Sequence, residues 1–228
     1  MREPLAVKCI LLDLDGTLID TAAAIRRAVQ ETADEFQLPI DVDHIISETL
    51  NILEGRKSRL NFLIIASHFN FLSLRHPLRI FEIKKFYEER FSAYTQETEL
   101  LPGVKESLER LKGFRLAIVT ARGKEWTEAS LEKHGICEYF EVVVTTDDVK
   151  KEKPDPASIM KAVTLLGVDP HQCLYVGDLP SDMRAGKRAG VKTAAVLTGL
   201  SSRETLEKEE PDYIFKNLKE LVLHSDSF

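Results

Sequence analysis

The sequence contains few cysteines, and their placement suits neither a cross-linked scaffold nor a thiolate metal site. Three occur among the 228 residues. They are odd in number, far apart and outside any CxxC pattern, so a disulfide framework or a structural zinc site is not expected. A reducing, cytoplasmic location fits this usage best. The three are Cys9, Cys137 and Cys173.

Long apolar runs are also missing. The N-terminal run is interrupted by Lys8 and Asp13 and lacks the small-residue cleavage site of a signal peptide, so it predicts a buried strand. The other candidate, residues 60–74, is too short to span a bilayer and contains polar residues. We predict a buried helix there, and no membrane association.

Positive charge is not in excess either. The chain carries 31 basic and 37 acidic residues, a formal net charge of -6. Both signs are interspersed, so no broad nucleic-acid or acidic-membrane surface is expected. A basic run after residue 183 is predicted to be one face of a helix. That run comprises Arg184, Lys187, Arg188 and Lys192.

From residue 114 onward, β-rich runs alternate with helical stretches. Such alternation predicts an α/β fold, a doubly wound parallel sheet covered by helices on both faces. The first strand comes much earlier, at residues 8–15. The later predicted strands are 115–120, 141–146, 173–178, 192–197 and 213–215, and the helices between them are 124–134, 156–166 and 181–189.

The stretch between the first strand and residue 114 has a different pattern. From residue 20 to about 98 there is no convincing strand, and helical spacing predicts helices at 21–36 and 78–94. We therefore predict a second, smaller, all-helical domain at 20–98, inserted into a sheet domain made of residues 1–19 and 99–228. Within the insert, His68 and three phenylalanines are expected to be core, although an exposed apolar face could also form a homodimer contact. The phenylalanines are Phe62, Phe69 and Phe71.

Polar side chains collect at the ends of four predicted strands. Because the carboxyl ends of parallel strands meet at one edge of a sheet, these groups are expected to lie close together. The candidates are Asp13 and Asp15 after the first strand, Thr120 after the second, Asp147, Asp148 and Lys153 after the third, and Asp178 and Asp182 after the fourth.

The segment DLDGT places two acids two residues apart. If strand geometry persists to Asp15, both carboxylates project to the same side. Such a pair repels unless a cation lies between the groups or one stays protonated, which suits a nucleophile paired with an acid. Gly16 permits a sharp turn directly afterwards. By themselves these residues could be an ordinary strand end, but the other three strand ends favour a site.

Taken together, four segments resemble the ordered motifs of the haloacid dehalogenase (HAD) superfamily. They are DLDGT, the apolar run ending in Thr120, Lys153 in KPDP, and GDLPSD. The helical insertion after the first motif is similar to that family's cap domain, as in its phosphoglycolate phosphatase-like and β-phosphoglucomutase-like members. The resemblance implies a Rossmann-like core and a phosphohydrolase that requires Mg²⁺.

The resemblance also implies a role for each matching residue. Asp13 would be the nucleophile that forms an aspartyl-phosphate, and Asp15 the general acid and base. Thr120 would bind a phosphoryl oxygen, and Lys153 would neutralise Asp13 and the transferring group.

The implied metal ligands are oxygens, which Mg²⁺ prefers. They are Asp13, the backbone carbonyl of Asp15, and Asp178, with Asp182 in direct or indirect support. Arg122 follows the second motif closely enough to contact substrate or cap, and a surface salt bridge is an equal alternative.

Hydrolysis of a small phosphate monoester is the leading expectation, with the cap closing over the site. Asp15 disfavours a dehalogenase, whereas a sugar-phosphate mutase shares that residue and stays open. A noncatalytic scaffold that uses the apolar insert is the alternative from another class. Phosphoglycolate, a sugar phosphate, a nucleotide and pyrophosphate all remain candidate substrates.

Overall fold

The computed structural model describes residues 6–42, 46 and 77–225. The chain forms two compact units, one comprising Met1–Asp20 with Glu99–Phe228 and the other Thr21–Thr98. No helix within the described ranges is both long enough and apolar enough to cross a bilayer. The apolar segment 60–74 lies outside the described residues, and so do the expectations for its helix, for His68, Phe62, Phe69 and Phe71, and for a homodimer contact.

The first unit is built on a six-stranded sheet. All neighbouring strands are parallel and the order is β3-β2-β1-β4-β5-β6. The chain therefore builds outward from β1 in one direction, returns to β4 on its other side, and builds outward again. This confirms the predicted doubly wound α/β fold. The strands are β1 (Cys9–Leu12), β2 (Arg115–Val119), β3 (Val142–Val144), β4 (Cys173–Gly177), β5 (Lys192–Val196) and β6 (Tyr213–Phe215).

Helices connect these strands close to the predicted positions. The helix at 124–134 has the predicted bounds, whereas those predicted from 156 and 181 begin at Ala157 and Pro180. A short helix before β6 was not predicted. In chain order, after the two helices of the other unit, they are α3 (Val104–Arg110), α4 (Lys124–His134), α5 (Ala157–Leu166), α6 (Pro180–Ala189), α7 (Arg203–Glu207) and α8 (Leu218–Leu223).

Both faces of the sheet are buried in apolar clusters. Because successive strand residues project to opposite faces, β1 contributes Ile10 and Leu12 to one cluster and Cys9 and Leu11 to the other. The first cluster includes residues of α3 and α8, and the second includes residues of α5 and α6. The central strands are therefore buried on both sides, which explains their unbroken apolar sequences.

The second unit, within the described residues, contains two helices that pack together. They are α1 (Thr21–Glu35) and α2 (Pro77–Glu97), the latter longer at both ends than the predicted 78–94. Small residues of α1, Ala24 and Ala28, lie against Tyr94 of α2 in a buried cluster. Alanine at the contact lets the large aromatic ring approach the backbone of α1.

The chain leaves and re-enters the first unit at one place. Asp20 N donates to Glu99 O (3.0 Å), and Leu101 N donates to Leu18 O (2.9 Å). An antiparallel bridge joins Ile19 to Leu100 between these two bonds. The two ends of the inserted stretch are thus held side by side by backbone hydrogen bonds.

Candidate active site

The strand order brings the first and fourth motifs together. In the register of β1 with β4, Leu12 lies opposite Val176, and Asp13 N donates to Val176 O (2.9 Å). Asp13 therefore follows the end of β1 beside the end of β4, which Asp178 follows directly. Thr120 extends from the other neighbour of β1, and its N–H donates to Val144 O (3.0 Å). The predicted strand-end groups thus meet at one edge of the sheet.

Lys153 is the cation at the centre of this edge. Its Nζ lies 2.8 Å from Asp13 Oδ1, 2.7 Å from Asp182 Oδ1 and 2.9 Å from the Tyr175 hydroxyl. Burial favours the neutral form of Lys153, but the charges of Asp13 and Asp182 outweigh it and raise the pKa of Lys153 well above its ordinary value. Lys153 is therefore a fixed positive charge against Asp13.

Three buried carboxylates surround that one lysine. Asp13, Asp178 and Asp182 each offer an oxygen, and these oxygens lie within 4.8 Å of one another. Burial raises the pKa of Asp13 to about 7, against the lowering effect of Lys153. Burial, together with the charges of Asp182 and Asp13, raises the pKa of Asp178 well above its ordinary value. When all three are ionised, the carboxylates carry more negative charge than one lysine neutralises, so a further cation would stabilise their ionised forms.

Asp178 is suited to bind that cation directly. Its Oδ2 accepts a hydrogen bond from Leu200 N (3.2 Å), whereas its Oδ1 is buried with no hydrogen-bond partner among the described residues. A buried carboxylate oxygen without a partner is costly unless a ligand completes it. Oxygen donors alone suit Mg²⁺, so these residues fit the ion that the motifs imply.

Asp182 has a different position in the cluster. Its Oδ1 accepts from Lys153 and from the Tyr175 hydroxyl (3.0 Å), and its Oδ2 accepts from Leu179 N (3.0 Å). Its side chain is fully buried. Both oxygens are therefore engaged with the protein, and Asp182 holds Lys153 in place from the side opposite Asp13.

Two glycines let the backbone come close to Asp178. Gly16 has φ +70°, and a Cβ there would overlap the Asp178 carboxylate, as would a Cβ at Gly199. The loop that follows β5 is tied to the first motif, because Thr198 Oγ1 donates to Gly16 O (2.6 Å). Sequence analysis missed this loop. A glycine just beyond a predicted strand end was the available signal.

The Asp15 carboxylate pairs with Arg122. The Arg122 Nε lies 2.8 Å from Asp15 Oδ2, and Nη2 lies 3.1 Å from Oδ1. The guanidinium carbon also lies 4.4 Å from the centre of the Trp126 ring. Arg122 therefore forms a salt bridge, one of the two alternatives expected for it, and its partner is a candidate catalytic residue.

The Thr120 hydroxyl has a local partner and one remaining hydrogen-bonding capacity. Its Oγ1 accepts a hydrogen bond from Arg122 N (3.1 Å), and the residue is 2% exposed. A hydroxyl that accepts one bond can still donate its own hydrogen. This is the capacity that binding a phosphoryl oxygen requires.

The two acids that follow β3 have local structural contacts instead. Asp147 Oδ2 accepts from Lys124 N (2.7 Å) at the start of α4. Asp148 Oδ2 accepts from Thr145 N (2.9 Å), and its Oδ1 pairs with Lys161 (2.9 Å). Their expected place beside Asp13 stays a prediction. Each stabilises a nearby turn.

Residues 10–196 match the family model of the haloacid dehalogenase-like hydrolases. The match covers most of the chain and contains every motif residue described above. The chain belongs to the haloacid dehalogenase-like hydrolase family. It is accordingly an enzyme of the hydrolase class, and its sequence-based recognition is confirmed.

Individual relatives of this haloacid dehalogenase-like hydrolase span its whole length. The pyrophosphatase PpaX of Oceanobacillus iheyensis is 31% identical over 98% of this chain and 100% of its own. The phosphoglycolate phosphatase of Aquifex aeolicus is 31% identical over 97% of this chain and 98% of its own. The crystal structure of a predicted phosphoglycolate phosphatase from Haemophilus somnus has a TM-score of 0.74 at 24% identity, covering 95% of this chain and 97% of that one.

The match to the haloacid dehalogenase-like hydrolases ends with β5. The loop that contacts Asp178, residues 198–200, therefore lies just beyond the matched segment.

Proposed function

We propose that this phosphatase hydrolyses a small phosphorylated metabolite, in the first instance a phosphate monoester, through an aspartyl-phosphate formed on Asp13. The observation that supports it most is the position of Lys153, whose ammonium is fixed on Asp13 Oδ1 beside a buried cluster with a carboxylate oxygen left for a cation. A nucleophilic carboxylate needs positive charge next to it when it approaches an anionic phosphoryl group.

In the first step an Asp13 oxygen bonds to phosphorus and the bond from phosphorus to the leaving oxygen breaks. Asp15, in its protonated form, gives that oxygen its proton. In the second step a water molecule attacks phosphorus, Asp15 takes the proton of the water, and the phosphorus–Asp13 bond breaks. Inorganic phosphate leaves, and both aspartates return to their starting states.

The residues around Asp13 supply most of the stabilisation. Proton transfer is worth roughly 10²- to 10⁴-fold, whereas the slowest monoester hydrolyses require about 10²¹-fold. Lys153 and the Thr120 hydroxyl would hold the phosphoryl oxygens, and Asp13, Asp178 and the Asp15 carbonyl would hold Mg²⁺. When bound, the ion supplies positive charge at those same oxygens.

We propose further that residues 1–19 and 99–228 are the catalytic core and residues 20–98 the cap domain that selects the substrate. The relatives named for pyrophosphate and phosphoglycolate make those two compounds the first substrates to test. The three free cysteines agree with a cytoplasmic location.

Phosphate release provides the test. The purified protein is assayed on an aryl phosphate, phosphoglycolate, pyrophosphate and a panel of sugar phosphates, with Mg²⁺ and with a chelator. We expect Mg²⁺-dependent release that Asp13→Asn lowers by more than about 10³-fold. The matched control is Asp147→Asn, because Asp147 is also an acid after a strand but only caps α4.

Two outcomes would contradict the proposal. Wild-type protein as inert as Asp13→Asn across the panel would indicate a noncatalytic role. Isomerisation of a sugar phosphate without net phosphate release would indicate a mutase.

A further inference from the structure

Several contacts hold the ion pair between Arg122 and Asp15 in place. Both oxygens of Asp15 face guanidinium N–H groups, at 2.8 and 3.1 Å. The Trp126 ring lies against the guanidinium, and the Arg122 backbone is fixed because its carbonyl accepts from Thr146 N (3.0 Å). The side chains of Arg122 and Asp15 are 23% and 26% exposed, so solvent and ligands can reach the pair.

This pair is incompatible with the first chemical step. A carboxylate that accepts from two guanidinium N–H groups has no proton to give, yet the leaving oxygen needs one. Asp15 must therefore separate from Arg122 before it can act as an acid. An anion that takes the guanidinium in place of Asp15 would separate the pair, since Arg122 keeps its charge.

The position of Arg122 indicates where that anion is. A proton donor lies within about 2.6–3.2 Å of the atom that it protonates, so Arg122 comes within roughly 6 Å of the leaving oxygen. Lys153 is engaged between Asp13 and Asp182. Arg122 is therefore a cation within reach of the leaving group, because it contacts the residue that would protonate the leaving oxygen.

We propose that Arg122 binds a negative charge carried by the leaving group, and that this exchange of partners releases Asp15 for proton transfer. The inference rests on the proposed function and narrows the class of substrates. Preferred substrates would be those whose leaving group is itself an anion, a carboxylate or a second phosphate. Substrates whose leaving group is a neutral alcohol would be hydrolysed more slowly, because Asp15 would stay paired with Arg122.

The protons balance in this scheme. Arg122 moves from the Asp15 carboxylate to the leaving group's anion, and the freed carboxylate takes a proton from solvent. Asp15 gives that proton to the leaving oxygen as the phosphorus–oxygen bond breaks. After the leaving group diffuses away, Asp15 serves as the base for water, returns that proton to solvent, and then pairs with Arg122 again as a carboxylate.

A matched pair of substrates tests the selection. Phosphoglycolate and 2-hydroxyethyl phosphate differ by a carboxylate in place of a hydroxymethyl group. Arg122→Gln should lower kcat/KM for phosphoglycolate by about 10- to 100-fold, as expected for the loss of hydrogen bonds between charged groups. It should raise kcat/KM for 2-hydroxyethyl phosphate and for an aryl phosphate, because the guanidinium no longer holds Asp15, so the ratio of the kcat/KM values falls. Arg122→Lys should restore part of the preference.

Arg115→Gln is the control variant. Arg115 begins the same strand that Arg122 follows, and it also forms a two-pronged ion pair, with Glu141, at the opposite edge of the sheet. The substitution removes an equivalent interaction away from the site. It should leave the ratio of the two kcat/KM values unchanged.

The chain's single tryptophan gives a reading that does not depend on turnover. Because the Arg122 guanidinium lies over the Trp126 ring, movement of Arg122 should change the fluorescence of Trp126. With Mg²⁺ present, methylenediphosphonate should change the emission of the wild-type protein. Methylphosphonate, which lacks the second anion, should not, and Arg122→Gln should respond to neither.

The outcomes separate this inference from the proposed function. Equal losses on both substrates in Arg122→Gln, or identical fluorescence responses to the two phosphonates, would overturn the inference while leaving the phosphatase intact. Absence of phosphate release from every substrate, including the aryl phosphate, would overturn the proposed function. A fluorescence response specific to methylenediphosphonate would still support anion binding at Arg122 in that case.

Discussion

Removal of one buried hydroxyl tests the arrangement around Lys153. Tyr175 lies in β4, is fully buried, and its hydroxyl is 2.9 Å from Lys153 Nζ and 3.0 Å from Asp182 Oδ1. Burial, followed by the charge of Asp182, raises the pKa of Tyr175 well above its ordinary value, so the group is a neutral hydroxyl. It can accept from Lys153 and donate to Asp182. The substitution Tyr175→Phe removes both bonds, together with a longer contact to Val119 O (3.3 Å), and keeps the ring.

The expected magnitude follows from those two contacts. A hydrogen bond to a charged group contributes about 1.5–3 kcal/mol, and neither partner is left unsatisfied in the variant. Lys153 retains Asp13 and Asp182, and Asp182 retains Lys153 and Leu179 N. Because neither charge loses its other partners, we expect the lower end for two such bonds, a loss of about 3 kcal/mol in the free energy of unfolding and a fall in Tm of roughly 6–12 °C. Turnover should fall by about tenfold because a freer ammonium stabilises the transferring group less well.

The assay combines thermal unfolding with steady-state phosphate release. In the proposed mechanism Lys153 acts on the reacting group, so the loss should lie mainly in kcat, with KM changed by less than about threefold. The control is Tyr139→Phe, because the Tyr139 hydroxyl also donates to a carboxylate, Glu109 Oε2 at 2.9 Å, but at an exposed site. That control should cost less than about 1 kcal/mol and leave kcat unchanged.

Two results would refute the reasoning. If Tyr175→Phe unfolds at the wild-type temperature, the hydroxyl does not bridge the two charges. If it loses stability but keeps the wild-type kcat, the hydroxyl contributes to the fold without positioning Lys153.

Three further predictions concern the carboxylates. Asp178→Asn should weaken Mg²⁺ binding by more than about 100-fold, as expected of a ligand. Asp182→Asn should weaken it by about tenfold, as expected of a residue that orients the site. Equal losses in titration calorimetry would contradict this. Because the pKa of Asp13 is raised to about 7 without metal, Mg²⁺ binding should release protons and weaken as the pH falls below about 7. Calorimetry at pH 7 in buffers of different ionisation enthalpy measures this, and identical heats would disprove it. The hydrogen bond from the N–H of Thr145 is the main cause that lowers the pKa of Asp148 to about 2 in the folded protein. Ionised Asp148 therefore stabilises the fold above its unfolded pKa near 3.8, and this stabilisation is lost as the pH falls towards 2. Urea unfolding should show Asp148→Asn less stable by about 1–2 kcal/mol at pH 7, after allowance for its one-third exposure, and by about half as much at pH 3.

The sheet and the membership of the site could be predicted because they depend on local patterns. Apolar runs of strand length predicted the six strands, and polar residues at their ends predicted which groups meet at one edge. The parallel strand order then brings Asp13 beside Asp178, although 165 positions separate them in the numbering.

The partners of each side chain could not be predicted in the same way. Tyr175 has the sequence character of a buried strand residue, and nothing local shows that its hydroxyl reaches Lys153. The pair of Asp15 with Arg122 joins residues 107 positions apart, and it depends on how the loop after β2 turns. Such contacts are set by tertiary packing.

The side-by-side attachment of residues 21–98 has a consequence for how this protein can vary. Because Leu18 and Leu101 are already bonded to each other through the backbone, the first unit closes its own chain at that place. The inserted residues then form a long connection between two neighbouring fixed points. The entropy of closing such a loop depends only weakly on the number of residues in it. Lengthening, shortening or exchanging that connection should leave the strand that precedes Asp13 in register with its neighbours in the sheet. The inserted residues can therefore be replaced as a module without disturbing the strand end that carries Asp13.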